Sequence, residues 1–339
     1  MQKQLGTKYD AFLLLSFGGP EGIDDVMPFL ENVLRGKNVP RERMLAVSKH
    51  YQLFNGVSPI NEENRKLIAA LKPVVESSGP KLPIYWGNRN WHPLLTDTVK
   101  QMAADGVKRV IAFATAGYSS YSSCRQYLEN IEQACLAAGN AAPVIEKIRP
   151  FYNHPDFIAA NAGQLLTAMA SISEDRRAKA KIVFTAHSIP LSMANGCFYA
   201  QQLQEVAKSV IKTVDVANAW QIAYQSRSGP PTQPWLEPDI NDVIEGLAKE
   251  GVRDIVIAPI GFVSDHMEIL FDLDTQAKQL CEKVGIGYHR AKTAGSHPKF
   301  ISMIRKLIDE KIDQYRIGDG QSEIALKQDF CQTDCCLIG

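Results

Sequence analysis

Long apolar runs and a surplus of charge of either sign are both missing from this sequence of 339 residues. No apolar stretch approaches the ~18 residues of a membrane-spanning helix, and the polar N-terminus (MQKQLGTKYD) lacks the apolar core of a signal peptide. Lysine plus arginine equals aspartate plus glutamate, 37 of each, so the charge balance gives no reason to expect nucleic acid or an anionic membrane as a partner. We therefore expect a cytoplasmic protein without integral membrane contact.

Two common sequence signatures are also absent. The glycine turn SFGGPEG (16–22) has neither the G-x-G-x-x-G pattern nor the lysine of a phosphate-binding loop, so we expect no nucleotide cofactor. The seven cysteines are an odd number in a long chain expected to be cytoplasmic, which argues against a disulfide framework. The turn glycines would instead allow the backbone to approach a flat ligand closely.

What the sequence does contain is an alternation of short apolar runs with amphipathic helical stretches, which predicts parallel βαβ units. The apolar runs cover residues 12–15, 84–86, 110–114, 182–184, 222–224 and 255–260. Apolar residues make up 45% of the chain, and its length suits two α/β units rather than one.

The chain also resembles itself. Three pairs of segments match in the same order: 12–20 with 181–190, 84–89 with 222–227, and 106–116 with 251–261. All βα units share a general pattern, so chance similarity is the alternative, but the common order favours a duplication. We predict two similar Rossmann-like lobes, residues 8–160 and 175–315, each a parallel sheet flanked by helices, with a cleft between them and a cysteine-bearing tail at 320–339.

Charged residues gather where two of the predicted strands end. Glu268 and Asp272 are one α-helical turn apart in an otherwise apolar segment that follows the run at 255–260. His187 follows another run and precedes a turn, and strand ends are where α/β folds place their chemistry. Carboxylates beside apolar side chains are costly unless they bind something. This pattern predicts metal handling with proton removal; a solvated helix N-terminus and a hydrogen-bonded loop histidine are the alternatives.

The repeat is asymmetric in its chemistry. When the two halves are laid strand on strand, Gly18 falls opposite His187 and Ser120 falls near Asp265. The second lobe would therefore carry the reactive groups, and the first would offer glycine and hydroxyl groups. A cleft with these two walls would suit a large flat ligand.

The C-terminal segment CQTDCCLIG carries three thiols, Cys331, Cys335 and Cys336. Thiolate clusters in cytosolic chains bind zinc or iron–sulfur clusters. A fourth ligand must come from elsewhere, and Cys124 is the best candidate because its serine-rich loop is expected to be exposed. The alternatives are a disordered reactive tail and prenylation of Cys336, although a terminal glycine fits the prenylation motif poorly.

At these residues the chain resembles the ferrochelatases, the enzymes that insert ferrous iron into a porphyrin. The similar motifs are LSFGGPE (15–21), GVSPIN (56–61), GNRNWHP (87–93), FTAHSIP (184–190), QSRSGPPTQPWLEPDI (225–240) and SDHMEILFDLD (264–274). They extend over nearly the whole chain, and the histidine and acidic segments are highly specific in combination. The resemblance implies a chelatase-like fold, with porphyrin and ferrous iron as the molecules bound.

The resemblance also assigns roles at the metal-insertion site. His187 is implied to accept the pyrrole protons or to ligate iron, Glu268 to face it across the macrocycle, and Asp272 to continue the acidic row. Phe17, which we count among the porphyrin contacts, stands where some members place an iron-ligating tyrosine, so no axial oxygen is expected there. Gln276 stands where some members carry a third acid, which would shorten the row.

The same resemblance implies contacts to the carboxylate-bearing edge of the porphyrin. Ser58 and Tyr127 match such positions, and Tyr51 and Arg35 are further candidates for the same task.

Several ferrochelatases also carry a [2Fe–2S] cluster held by C-terminal cysteines and one internal cysteine. The internal cysteine of actinobacterial-type members lies in a Y-S-x-C-x-Q-Y setting, which matches residues 121–127 here. The resemblance thus implies Cys124, Cys331, Cys335 and Cys336 as ligands, although the adjacency of the last two makes both harder to fit to one iron pair.

The substrate expected from the resemblance is coproporphyrin III, because the YSSC and QSRSGPP motifs are of the actinobacterial type and the segment 33–51 is basic and polar. The alternatives are protoporphyrin IX, another tetrapyrrole chelatase that loads cobalt or nickel, and a non-enzymatic carrier of haem or metal. A downstream enzyme of haem biosynthesis is a possible partner, and the expected state is a monomer or weak dimer.

Overall fold

The computed structural model describes residues 9–36, 39–77, 79–230, 232–318 and 336. The chain divides into two compact units. The first comprises Met1–Ala116, Cys124–Pro150 and Ile301–Cys335, and the second Gly117–Ser123, Phe151–Phe300 and Cys336–Gly339. The sequence predicted a second lobe of residues 175–315, and the segment Ile301–Cys335 clusters with the first unit.

The first unit contains a parallel sheet with the strand order β2-β1-β3-β4. Its strands are β1 (Ala11–Ser16), β2 (Ile84–Asn88), β3 (Arg109–Ala114) and β4 (Val144–Lys147). Its helices are α1 (Val26–Val33), α2 (Arg41–Gln52), α3 (Ile60–Ser77), α4 (Leu95–Ala104) and α5 (Gln126–Ala138), and a short π-helix, Tyr121–Arg125, precedes α5. Every residue of β1 is buried, as expected of a central strand covered on both faces.

The second unit contains a parallel sheet with the order β6-β5-β7-β8. Its strands are β5 (Lys181–His187), β6 (Trp220–Gln225), β7 (Asp254–Ala258) and β8 (Gly287–Arg290). The helices are α6 (Pro155–Met169), α7 (Glu174–Arg177), α8 (Leu191–Asn195), α9 (Tyr199–Val214), α10 (Ile240–Lys249) and α11 (Lys278–Val284). A longer π-helix, Ile269–Ala277, precedes α11, and α12 (Pro298–Gly318) continues into the first unit.

The predicted fold class is confirmed, because both units are helix-flanked parallel sheets. The two sheets also share one strand order, in which the first strand of each unit lies between its second and third, as expected from the repeat in the sequence. All six apolar runs form strands, namely β1, β2, β3, β5, β6 and β7. The edge strands β4 and β8 escaped prediction because they are short and their residues are half-buried or exposed, so they need no apolar run.

Apolar side chains of the flanking helices pack against the strands of the second sheet. Ile240, Ile244 and Leu247 of α10 pack with Ile269 and Leu273 of the π-helix in one buried cluster. This cluster includes residues of β5 and β7, so the helix that carries the acidic row is packed directly on the strands whose ends form the site.

Candidate active site

The candidate site lies at the C-terminal edge of the second sheet. His187 ends β5 and pairs in register with Gln225, which ends β6. The chain leaving β7 passes close to β5, where the Gly261 amide donates to the Thr185 carbonyl at 3.0 Å. A Cβ atom on Gly261 would lie 2.5 Å from that of Ala186, so glycine permits this approach. The approach brings the acidic segment to the end of β5.

His187 faces Glu268, and both of its ring nitrogens lie near oxygen atoms. Its Nδ1 donates to the carbonyl of Ser188, because a carbonyl can only accept, and its Nε2 lies 3.5 Å from Glu268 Oε1. Tyr199 fixes the backbone by donating its hydroxyl to the His187 carbonyl at 3.1 Å. On the other side of the carboxylate, His266 Nε2 lies 3.4 Å from Glu268 Oε2. One carboxylate therefore stands between two imidazoles.

The acidic row continues on a π-helix rather than the predicted α-helix. Glu268 is the residue before this helix, and Asp272 lies in its first turn. The Gln225 amide nitrogen lies 3.4 Å from the Glu268 carbonyl and 3.5 Å from Asp272 Oδ2, so both residues border the end of β6. Ser226, which has a left-handed φ of 62°, donates its hydroxyl to the same carboxylate. π-helical turns are uncommon and recur at functional sites.

The charges of these groups are coupled. Burial lowers the pKa of His187, but the charge and hydrogen bond of Glu268 outweigh burial and raise it to about 9. Burial raises the pKa of Glu268, but the charge of His187 outweighs it and lowers the pKa to about 2. Burial lowers the pKa of His266, and it raises that of Asp272 to about 6. At neutral pH the site thus contains a His187–Glu268 ion pair, a neutral imidazole and a carboxylate ready to exchange a proton.

The residues expected to contact the porphyrin lie in the first unit. Phe17 and Tyr51 both pack edge-on against Phe29, with ring centroids 6.3 and 5.9 Å away. The Arg89 guanidinium lies 5.5 Å from the Phe17 ring and 4.7 Å from the Tyr127 ring. Three of the predicted residues are thereby brought to one cluster.

The other two expected contacts differ in exposure. Ser58 is buried, with 4% of its surface exposed. Gly19 packs directly against it, since a Cβ atom added to Gly19 would lie 2.7 Å from the Cβ atom of Ser58. Arg35 is exposed and donates to Asn32 Oδ1 at 2.5 Å.

The expected exposure of the serine-rich loop is wrong. Cys124 is 3% exposed and Ser120 is 1% exposed, because the serine hydroxyls bond to one another and Ser123 donates to the Tyr118 carbonyl at 2.8 Å. Cys336 is also buried, at 8% exposure. Cys331 and Cys335 lie outside the described residues.

Three residues of the candidate site were missed from the sequence. Gln225 and Ser226 lie in the segment IAYQSR, which the repeat matched to IYWGNR, and Gln225 is the last residue of β6, so their position at a strand end was a usable signal. Arg89 ends the matching segment in the first half, where the repeat aligns it with Arg227, but its location between two aromatic rings follows from tertiary packing.

The chain is similar to known proteins over most of its length. Residues 9–312 match the family model described as Ferrochelatase. A ferrochelatase of Rhodopirellula baltica is 55% identical over 97% of this chain and 93% of that protein. A coproporphyrin III ferrochelatase of Streptomyces griseus is 46% identical over 97% of this chain and 93% of that protein.

A solved structure shares the fold. SirB from Bacillus subtilis aligns with a TM-score of 0.55 at 13% identity, covering 93% of this chain and 98% of that one.

Within the described ranges, no helix has the length and apolarity to cross a membrane. The family match over residues 9–312 and the relatives at 46–55% identity establish that the chain belongs to the ferrochelatase family.

Proposed function

We propose that this protein inserts Fe²⁺ into coproporphyrin III, with release of two protons, as a step of haem biosynthesis in the cytoplasm. The observation that carries the proposal is the His187–Glu268 pair at 3.5 Å, a base and a metal-binding oxygen side by side. Coproporphyrin III is supported by the name of the Streptomyces griseus relative. It is also supported by helix α2, which lies in the basic and polar segment 33–51 and in which only Ser48 is buried, because a polar segment suits a porphyrin with four carboxylates. Protoporphyrin IX is the second candidate, since the Rhodopirellula baltica relative is named as a ferrochelatase without a stated porphyrin.

Iron can enter the macrocycle as the two pyrrole N–H protons leave, so the site must exchange protons for a cation. In the absence of iron, the opposite charges of His187 and Glu268 favour the ion pair in which the imidazole holds a proton. Fe²⁺ at the Glu268 carboxylate would neutralise the negative charge that stabilises this proton. His187 Nε2 would then pass its proton to solvent by way of Asp272 in the acidic row, and would become the base that receives one from a pyrrole nitrogen.

Asp272 suits the next proton transfer. Burial raises its pKa to about 6, so the carboxyl group can bind and release a proton near neutral pH. Ser226 and Gln225 hold Asp272 beside Glu268, which supports a path from the His187–Glu268 pair along the acidic row.

We also infer a [2Fe–2S] cluster held by Cys124, Cys331, Cys335 and Cys336. The two described thiols, Cys124 and Cys336, are both buried, which suits ligands shielded from water and oxidants. No group of three or more metal-binding side chains is found among the residues that the structure describes. The cluster would supply a structural or redox-sensing centre, and no step of iron insertion requires it. A downstream enzyme of haem biosynthesis would receive the product.

The test is an anaerobic insertion assay with Fe²⁺ and each porphyrin in parallel, comparing wild type with His187→Ala. Loss of a general base costs about 10²- to 10⁴-fold in rate, so we expect the variant to lose at least about 100-fold in kcat. Porphyrin affinity, followed by fluorescence quenching, should change little. His297→Ala, which removes a histidine at the start of α12, is the control.

Each alternative has a distinct outcome. Insertion at the wild-type rate by His187→Ala would refute the assigned base. A wild-type protein that binds porphyrin without inserting any metal would be a carrier, and a preference for Co²⁺ or Ni²⁺ would indicate another chelatase.

A further inference from the structure

Arg290 joins two parts of the segment that carries the site. It ends strand β8, and its side chain is 14% exposed. Its guanidinium binds Asp265 through both Nη atoms, at 2.8 and 3.3 Å, and its Nε donates to Asp274 at 2.6 Å. Tyr288 of the same strand donates to Asp274 at 3.2 Å. A bidentate arginine–carboxylate contact fixes geometry as well as charge.

Both carboxylates belong to the backbone that presents the site. Asp265 directly precedes His266, whose ring packs against Phe262 with centroids 4.9 Å apart. Asp274 lies in the π-helix that begins after Glu268. Arg290 therefore holds the segment on both sides of Glu268 without contacting the reacting groups.

The opposite side of the π-helix is held by another strand. Asp272 accepts from Ser226, the residue after β6, whereas Asp274 is bound by β8. π-helices are rare and occur mostly as single turns inside α-helices, so we expect these tertiary contacts to help keep the nine-residue π-helix in place. Glu268 is 44% exposed and its nearest imidazole nitrogens lie 3.4 and 3.5 Å away, so its position depends on the backbone that carries it as well as on these charged contacts.

We propose that Arg290 is a positioning residue for iron insertion, which holds Asp265 and Asp274 together and thereby sets Glu268 and His266 opposite His187. This inference rests on the proposed function and deepens it. The affected groups are those that would bind and exchange iron, so loss of Arg290 should impair use of Fe²⁺ and leave use of the porphyrin intact.

The experiment measures kcat and the KM values for Fe²⁺ and porphyrin in Arg290→Met, Arg290→Lys, Asp265→Asn and Asp274→Asn. A displacement of about 1 Å can cost about 100-fold, and we expect kcat/KM for Fe²⁺ to fall about 10- to 100-fold in Arg290→Met. The KM for porphyrin should stay within about twofold of wild type. Arg290→Lys keeps the positive charge but loses the planar guanidinium that binds a carboxylate through two nitrogens. Its kcat/KM for Fe²⁺ should therefore lie between those of Arg290→Met and wild type.

Two comparisons separate positioning from general stability. Arg305→Met is the matched control, because Arg305 is 6% exposed and paired with Asp309 in helix α12; it should lower the melting temperature and leave the iron kinetics unchanged. The double variant Arg290→Met/Asp265→Asn should have the same kcat/KM for Fe²⁺ as Arg290→Met alone, because the effects of residues that act as one unit are not additive.

The possible failures are distinguishable. If Arg290→Met inserts iron with the kinetics of Arg305→Met, the inference is wrong. If Arg290→Met does not fold, the two near-isosteric aspartate variants decide, and wild-type iron kinetics in both would overturn it. A wild-type protein that inserts no iron would refute the proposed function instead.

Discussion

At the scale of single residues, the site depends on how one carboxylate changes its neighbours. Glu268 lies within 3.5 Å of both His187 and His266, yet the pKa of His187 is raised and that of His266 is lowered. Burial acts on both imidazoles, so the opposite outcomes reflect how strongly each couples to the carboxylate. His187 is also stabilised by donating its Nδ1 proton to Ser188, while no hydrogen-bond partner is found for the buried Nδ1 of His266 within the described part of the chain.

Removing the carboxylate should therefore reverse the pKa shift of His187. With Glu268→Gln, burial remains and the favourable charge is lost, so we expect the pKa to fall from about 9 to below its ordinary value of 6.5. Histidine NMR titration, with the resonance assigned from a His187→Gln spectrum, measures this shift. Glu245→Gln, an exposed position on α10, is the control and should leave the pKa unchanged.

The same substitution predicts a change in the pH dependence of stability. The folded-state pKa of His187, about 9, lies above the ordinary value of 6.5, so its contribution is complete below pH 6.5 and is lost as the pH rises through about 9. Urea unfolding between these limits should show a shallower slope with pH in Glu268→Gln. An unaltered slope would mean that the pair is not coupled.

At the scale of elements, one close crossing delivers the acidic segment to the end of β5. Gly261 follows β7 and lies against Ala186, the residue before His187. The π-helix then presents Glu268 and Asp272 from this crossing. The geometry of the site thus depends on a glycine that carries no functional group.

Gly261→Ala should damage both stability and activity. The new methyl group would lie 2.5 Å from Ala186 Cβ and 2.7 Å from its Cα, so β5 or the crossing must shift, at a cost of about 1–3 kcal/mol in the free energy of unfolding. Insertion activity should fall because the shift reaches His187. Gly246→Ala in α10, where nothing lies within 4 Å of the new Cβ, is the control and should stabilise by about 0.5–1 kcal/mol. Equal stability of the two variants would contradict this account.

At the scale of the whole molecule, two sheets of one strand order carry different chemistry. The unit of the first sheet contains the aromatic cluster around Phe29 and Arg89. The unit of the second sheet contains the His187–Glu268 pair and the π-helix. A duplicated scaffold keeps its buried strands alike because both need parallel apolar sheets. Its strand ends can diverge, because side chains there are not constrained by the core.

The cluster proposal is also tested on the whole protein. Purified protein should be brown and contain iron and sulfide, and Cys124→Ser should lose the visible absorption. Cys135→Ser is the control on the adjacent helix α5, where burial raises the pKa of the thiol and disfavours the thiolate. A colourless wild-type protein that contains zinc would refute the iron–sulfur assignment.

The predictable parts of this protein were those with a local cause. Strands β1, β3, β5 and β7 each contain an apolar run, because nearly all of their residues are buried. β8 was missed because an edge strand can have polar residues such as Arg290, although this one residue contacts two carboxylates of the acidic segment.

The sequence by itself determined the α/β class, the repeated order of strands, and the placement of His187 at a strand end, because periodicity and strand termini are local properties. The tertiary structure alone decided that the acidic row is π-helical, that Ser226 and Gln225 hold Asp272, and that Arg290 joins Asp265 to Asp274. These contacts join strands that are distant in the chain. They depend on how packed elements bring side chains together, which no local pattern encodes.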